Sequence, residues 1–160
     1  MFSVRAVMRI ANDILIPELA RLLKEGKEVR FTPSGVSMRP FIEGDRDSVI
    51  LAAVSGSPRK GDILLASVQT QVGTQTYVLH RLVRIEKETQ GEAVYVLQGD
   101  GNIAGEERCG YADIIGRVIR IEGPSGRRKP LVRGRFWYTM RRWRPFLLKV
   151  YRHTVLKMYK

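Results

Sequence analysis

The sequence predicts a mainly β protein with helices at its N-terminal and C-terminal ends. Two changes of pattern indicate this organisation: helical spacing gives way to short strand-like runs near residue 27, and a basic amphipathic segment begins near residue 123. The 160 residues suffice for a single hydrophobic core. With 44% apolar and 28% charged residues, the composition is that of a globular protein, and it excludes disordered, collagen-like and polytopic membrane proteins.

Residues 1–26 form the predicted N-terminal helical segment. Its apolar residues at helical spacing are Val4, Val7, Ala11, Ile14, Leu15, Leu19, Leu22 and Leu23. Pro17 fits the first turn of a second short helix, and Gly26 fits its C-terminal end. Charged residues interrupt the place where a signal peptide would be apolar, and no stretch of the chain reaches the roughly 18 apolar residues of a spanning helix. We therefore expect no signal peptide, no transmembrane helix, and a cytoplasmic or peripherally membrane-associated protein.

Residues 27–122 form the predicted β domain. Six runs of β-rich composition are bounded by Gly, Pro, Asp or Ser, which is typical of strands joined by short connections. The runs are Glu28–Thr32, Ser48–Val54, Asp62–Val68, Tyr77–Lys87, Ala93–Leu97 and Asp113–Ile121. Gly-Asp pairs begin at Gly44, Gly61 and Gly99, and each is compatible with a simple turn.

Residues 123–160 form the predicted basic tail, which begins with a linker-like segment, Gly123–Gly126. Residues 121–160 contain twelve Lys and Arg and one acid, Glu122, a net charge of +11, whereas the first 120 residues carry +1. The net charge of +12 therefore belongs to the tail. One Cys and two His exclude a disulfide framework and a zinc-ligand cluster, and we expect no metal or cofactor.

The segment Thr32–Asp45 carries the first candidate for chemistry. It joins two predicted strands, and Ser37 lies between Gly35 and Pro40, where a nucleophilic hydroxyl could be exposed. A serine in such a loop is more often only a turn residue, so this interpretation depends on the blocks that follow it.

Four blocks, in order, give the sequence its resemblance to a known superfamily. They are Ser37-Met-Arg-Pro40 with Gly44-Asp45, Lys60-Gly-Asp-Ile63, Tyr77-Val-Leu-His80-Arg81-Leu-Val-Arg84, and Gln98-Gly-Asp-Gly-Asn102 with Ile114-Ile-Gly-Arg-Val118. Together they resemble the serine peptidases that include the type I signal peptidases and the self-cleaving repressors of the DNA-damage response. The resemblance extends from about Val29 to Ile121 and implies a folded, signal-peptidase-like β-sheet core with Ser37 as nucleophile.

Two branches of this superfamily differ in the residue that acts as general base. Bacterial signal peptidases and the repressors have Lys there, whereas the endoplasmic-reticulum-type branch has His followed by Arg, which resembles His80-Arg81. The resemblance thus implies His80 as general base, and an imidazole with an ordinary pKa of about 6.5 can accept a proton at neutral pH. The alternative is an imidazole that is only hydrogen-bonded within a strand.

Two acids are equal candidates for orienting His80. The His-type branch has an Asp a few residues past its Gly-Asp-Asn block, but this chain has Glu106 and Glu107 there, after an apparent one-residue insertion. Asp100 and Glu107 rank about equally, with Glu106 behind them.

Signal-peptidase-like chemistry fits this chain better than repressor self-cleavage. A repressor needs a scissile Ala-Gly or Cys-Gly upstream of its nucleophile, and residues 1–36 contain neither dipeptide. We therefore predict a serine endopeptidase that cleaves a leader or extended peptide, with the backbone N–H of Ser37 in the oxyanion hole. Cys109 is a weak alternative nucleophile because no His neighbours it in any block. The rival from another class is a non-catalytic binding module of the same fold that acts through its tail.

The tail predicts an amphipathic helix. Its apolar stripe comprises Phe136, Met140, Trp143, Leu147, Tyr151, Val155 and Met158, and most basic residues lie on the opposite side. We expect Pro145 to kink or split this helix. Binding to an anionic membrane surface and packing on the β core are comparable alternatives. Nucleic acid is the least favoured partner, because the aromatic residues follow the apolar stripe instead of alternating with the basic ones.

Overall fold

The described part of the chain is mainly antiparallel β-sheet with a helix near each end, as the sequence predicts. A computed structural model describes residues 12–87, 91–132, 137, 139–140, 142–154 and 157. Helix α1 spans Asn12–Lys24 and helix α2 spans Arg144–Thr154. The strands are β1 (Val29–Phe31), β2 (Ser48–Ala52), β3 (Ile63–Gln69), β4 (Gln75–Lys87), β5 (Ala93–Gln98), β6 (Glu107–Cys109), β7 (Ile114–Glu122) and β8 (Arg128–Lys129). Val4, Val7, Ala11, Phe136, Val155 and Met158 of the predicted helical patterns lie outside the described residues.

The strands form one sheet in the order β1-β2-β7-β3-β4-β5-β6, with β8 paired to β7, and all pairs are antiparallel. Each of the six predicted runs overlaps one of the strands β1 to β5 or β7. The sequence did not predict β6 and β8, because strands of three and two residues are too short to show an alternating pattern.

Two apolar clusters pack on opposite faces of β3. Ile63 and Leu65 belong to the first cluster, whereas the alternating residues Leu64, Ala66 and Val68 belong to the second. The first cluster also contains side chains from α1 and from the segment after β1, which are Ile16, Leu19, Leu23, Met38 and Ile42. The segment that carries Ser37 is therefore anchored in the core of the protein.

Helix α1 is one continuous helix, and the prediction of a second helix starting at Pro17 is wrong. Pro17 lies within α1 and removes one backbone donor, but the buried side chains of Ile16, Leu19 and Leu23 hold the helix on the sheet. Leu23 packs over Gly116 of β7, where an added Cβ would lie 2.7 Å from Leu23 Cδ1. Tertiary packing therefore compensates for the proline.

The segment Gly123–Gly126 is the turn of a β-hairpin and not a linker. Gly123 N–H donates to the Arg127 carbonyl at 2.9 Å, and β8 then pairs with the end of β7. Beyond the hairpin, Trp137 and Arg144 are buried against the sheet. These two side chains of the tail thus pack on the β core.

Pro145 is the second residue of α2, and the predicted helix is split as expected, because a turn at Arg142 and Trp143 separates α2 from the helical residues before it. In the first turn of a helix a proline has no intrahelical N–H bond to lose, and its φ already suits the helix. The predicted apolar stripe is divided: Tyr151 contacts Glu43 of the β domain, whereas Trp143 is exposed to solvent. No helix among the described residues has the length and apolar character needed to cross a membrane.

The loop between β1 and β2, residues 32–47, is closed by a narrow neck. Asp45 N–H donates to the Pro33 carbonyl at 2.8 Å. Beside this bond, a Cβ added to Gly44 would lie only 2.0 Å from the Gly35 carbonyl oxygen. Only a residue without a side chain fits at position 44, because both contacting groups are backbone.

We expect Gly44→Ala to lower the free energy of unfolding by at least about 2 kcal/mol, because the overlap can be relieved only by moving the loop backbone. Urea denaturation of the two proteins measures this difference. Gly110→Ala is the matched control, since Gly110 has a φ of −81° and its added Cβ would come no closer than 3.5 Å to Asp113. Equal losses in the two variants would contradict the close-packed neck.

Candidate active site

Ser37 lies at the start of a tight turn in the loop between β1 and β2. The turn is formed by the Ile42 N–H and Phe41 N–H, which both donate to the Met38 carbonyl at 3.0 and 3.1 Å. Met38 and Ile42 are buried in the first apolar cluster, and Ser37 itself is half-buried. The loop thus presents the Ser37 hydroxyl from a rigidly anchored backbone.

The turn Gly99–Asn102, called the Gly99 turn below, holds the backbone of Ser37. Gly101 N–H donates to the Ser37 carbonyl at 2.7 Å. An added Cβ on Gly99 would lie 2.5 Å from the same oxygen, and one on Gly101 would lie 2.8 Å from the Val36 carbonyl. The two glycines therefore permit an approach of the two backbones that any side chain would prevent.

His80 lies on β4 and is buried, and its Nδ1 lies 2.8 Å from Glu107 Oε2 on the neighbouring β6. His80 pairs across with Leu64 of the second apolar cluster, and Glu107 pairs with Leu97 of the same cluster, so the two side chains share one face of the sheet. A carboxylate on Nδ1 fixes the tautomer in which Nε2 is free to accept a proton.

Ser37 and His80 line the same cavity, whose volume is about 130 Å³. Strand β5 ends at Gln98, opposite Arg81, so the pairing of β4 with β5 stops one residue before His80. Both side chains line this cavity, but within the described residues no direct hydrogen bond connects Ser37 to His80. Such bonds are often long in a free enzyme and form when substrate is bound.

Asp100 binds Arg81 and not His80. Both side chains are buried, and the guanidinium contacts both carboxylate oxygens at 2.7 to 3.1 Å. Arg81 also donates to the Gly61 carbonyl at 2.8 Å and to the Val132 carbonyl at 2.6 Å, and it lies over the Phe41 ring. Of the two equal candidates, the structure therefore brings Glu107 to His80 and gives Asp100 a different partner.

Glu106 and Cys109 lie apart from the Ser37 cavity. Glu106 pairs with Arg84 through two bonds of 2.7 and 2.8 Å. Cys109 is buried in the second apolar cluster, where burial, helped by the charge of Asp113, raises the pKa of its thiol to about 11. A thiol with that pKa is protonated at neutral pH and is a poor nucleophile.

The described residues contain no group of three His, Cys, Asp or Glu that could hold a metal ion. His153 is exposed on α2, with Nδ1 2.9 Å from the Lys149 carbonyl, and has no place in the site.

Two residues of the tail contact the site, and the sequence did not predict either contact. Trp137 Nε1 donates to the Asp100 carbonyl at 2.8 Å, and the Arg144 guanidinium donates to the same oxygen at 2.7 Å. No feature of the charge pattern distinguishes Arg144 from the other basic residues around it. Only the tertiary structure separates it from them.

Comparison with known proteins identifies no relative. No family model, no curated protein and no solved structure matches the chain. The resemblance to serine peptidases therefore depends on the four sequence blocks and on the geometry described above.

We expect the two candidate acids to behave differently in unfolding experiments. Asp100→Asn should lower the free energy of unfolding by about 3–5 kcal/mol, because it leaves the buried charge of Arg81 without its partner. Glu107→Gln should cost about 1 kcal/mol or less, since Glu107 is a quarter exposed and its partner is an imidazole. Thermal and urea denaturation measure both values, with Glu106→Gln as a control of equal exposure whose partner is the partly exposed Arg84. A larger loss for Glu107→Gln than for Asp100→Asn would contradict these assignments.

Proposed function

We propose that the chain is a serine endopeptidase of the signal-peptidase-like, His-type branch, with Ser37 as nucleophile, His80 as general base and Glu107 as the acid that orients His80. The observation that carries the proposal is the His80–Glu107 hydrogen bond beside a cavity that Ser37 also lines. Sequence blocks and geometry support it independently, because the blocks do not specify which acid reaches His80.

In the proposed reaction, His80 Nε2 accepts the Ser37 hydroxyl proton while Oγ attacks the carbonyl carbon of the scissile peptide bond. Glu107 stabilises the imidazolium that results. The Ser37 backbone N–H donates to the oxyanion of the tetrahedral intermediate. His80 then gives its proton to the leaving amine, and water, activated by the same imidazole, hydrolyses the acyl-enzyme.

The cavity limits what the site can admit. Its volume of about 130 Å³ corresponds to about four water molecules at liquid density, so it holds only a small part of a substrate. The remainder of the substrate must then lie across the surface. An extended peptide segment meets this requirement.

We expect Ser37 to be acylated by a p-nitrophenyl ester, in which Oγ attacks the ester carbonyl and p-nitrophenolate leaves. His80→Ala should lower the acylation rate at least about 100-fold, because the base is lost. Glu107→Gln should lower it at least about tenfold, because the tautomer is no longer fixed. Stopped-flow release of nitrophenolate, with mass spectrometry to locate the acyl group, measures the effect.

Ser34→Ala is the matched control for this experiment, because Ser34 lines the same cavity and is exposed. It should keep the wild-type rate, whereas Ser37→Ala should abolish labelling at the site. If Ser37 is not acylated, or is acylated equally in His80→Ala, the chain is instead a binding module of this fold. Comparison of protein N-termini in cells carrying wild type or Ser37→Ala then identifies the substrate, and identical N-termini would argue against a peptidase.

We further propose that the peptidase works at an anionic membrane surface. It contacts this surface through an outer face formed by Trp143, directly before α2, and by Phe146 and Val150 of α2. Trp143 and Phe146 are 63% and 60% exposed. Arg142, Lys149 and Arg152 are exposed beside them. An apolar face with aromatic residues and flanking positive charge is typical of helices that lie in the membrane interface.

Replacing Trp143 and Phe146 by Ser should weaken binding to vesicles of mixed phosphatidylglycerol and phosphatidylcholine at least about tenfold, since each buried aromatic side chain contributes about 1.5–3 kcal/mol. Co-sedimentation measures binding. A matched control replaces Ile14 and Val72, which are 70% and 87% exposed on other surfaces. Equal binding by both double variants, or binding that ignores the anionic lipid, would contradict this surface.

A further inference from the structure

Arg144 is the one fully buried cation among the described tail residues after Lys129. Its side chain is 2% exposed, whereas the neighbouring Arg142, Lys149 and Arg152 are exposed. One guanidinium nitrogen, Nη2, shares its two hydrogens among three carbonyls of the Gly99 turn: those of Asp100 at 2.7 Å, Asn102 at 3.1 Å and Gly99 at 3.3 Å. One side chain of the tail therefore binds most of the backbone acceptors of a single turn.

Burying a guanidinium costs several kcal/mol unless its donors find good acceptors. Here the acceptors are the carbonyl dipoles of the Gly99 turn and, at 3.5 Å, Gln98 Oε1. Trp137 completes this environment, because its ring lies 5.6 Å from the Arg144 guanidinium carbon and its Nε1 shares the Asp100 carbonyl. Such converging acceptors form a fixed binding site for a planar cation.

The Gly99 turn is held from two sides. Arg81 binds the side chain of Asp100, and Arg144 binds the backbone of the same residue. A hydrogen bond from Gly101 N–H to the Ser37 carbonyl connects the Gly99 turn to Ser37. A displacement of the Gly99 turn is therefore transmitted directly to the backbone of Ser37.

We propose that Arg144 is a positioning residue for the nucleophile: it fixes the Gly99 turn, and the Gly99 turn fixes Ser37. The consequence for catalysis rests on the proposed peptidase function. A displacement of about 1 Å at a reacting group can cost about 100-fold in rate. The C-terminal tail is then part of the active site's support and not only an attachment surface.

The test uses the full chain with Arg144→Ala, and Arg142→Ala as its exposed neighbour control. Hydrogen exchange at the Gly101 amide reports the position of the Gly99 turn without any catalysis. We expect Arg144→Ala to speed exchange at Gly101 at least tenfold relative to wild type, with amides of β2 and β7 unchanged. Arg142→Ala should leave all of them unchanged.

The same variants are then acylated with the p-nitrophenyl ester. We expect Arg144→Ala to lower the acylation rate of Ser37 about 10- to 100-fold while the pH midpoint of the rate stays that of wild type. Added methylguanidinium should restore part of the rate, because it occupies the space and the carbonyls that Arg144 leaves. Arg144→Lys should restore less of the rate than methylguanidinium does, since an ammonium has neither a second nitrogen for Gln98 Oε1 nor a planar face for the Trp137 ring.

Three outcomes would overturn the proposal. The first is that the Gly101 amide of Arg144→Ala exchanges at the wild-type rate. The second is that Arg144→Ala exchanges faster at Gly101 but its Ser37 is still acylated at the wild-type rate. The third is a rate loss that methylguanidinium does not restore in a folded variant. If Arg144→Ala fails to fold, Trp137→Phe removes one bond to the same Asp100 carbonyl and is measured instead. If Ser37 of the wild type is never acylated, the proposed peptidase function is wrong. If Gly101 exchange is nevertheless faster in Arg144→Ala, the contact by which Arg144 positions the Gly99 turn is still supported.

Discussion

The buried ion pair of Arg81 and Asp100 is the interaction on which the rest of the site depends. Arg81 is next to His80 on β4, and Asp100 lies in the turn that contacts the Ser37 carbonyl. One ion pair therefore links the strand that carries His80 to the turn that contacts Ser37. Such a pair is stable only because Arg81 also finds the carbonyls of Gly61 and Val132, which compensate the loss of water around its charge.

Arg81 and Arg84 each bind one of the nearby acids, and this determines which acid remains for His80. Strand β4 carries Arg84, Arg81 and His80, and the three nearby acids each take one of them: Glu106 binds Arg84, Asp100 binds Arg81, and Glu107 binds His80. An arginine is always charged and offers a planar fork, so it binds a carboxylate more strongly than a neutral imidazole does. Glu107 is the acid that neither arginine of this strand engages.

The basic tail contains both buried residues and residues exposed to solvent. Arg144 and Trp137 are buried against the Gly99 turn, while Trp143, Phe146 and the exposed cations face solvent. A helix whose Arg144 holds the Gly99 turn on one face can offer its other face to a membrane, because residues about two positions apart on a helix point in opposite directions. Both proposals for the tail are therefore compatible with one helix.

The sequence by itself determined the mainly β class, six of the eight strands, a helix near each end and the candidates Ser37 and His80, because these depend on local periodicity and on short motifs. It did not determine the continuity of α1 through Pro17 or the hairpin at Gly123–Gly126. Those features are decided by packing between distant segments. Two features depended on which charged groups the folded sheet brings within hydrogen-bond distance: the contact of Glu107, and not Asp100, with His80, and the burial of Arg144 while the described Arg142, Lys149 and Arg152 are exposed. Spacing along a chain does not encode that information, since like residues acquire different partners only when the sheet is assembled.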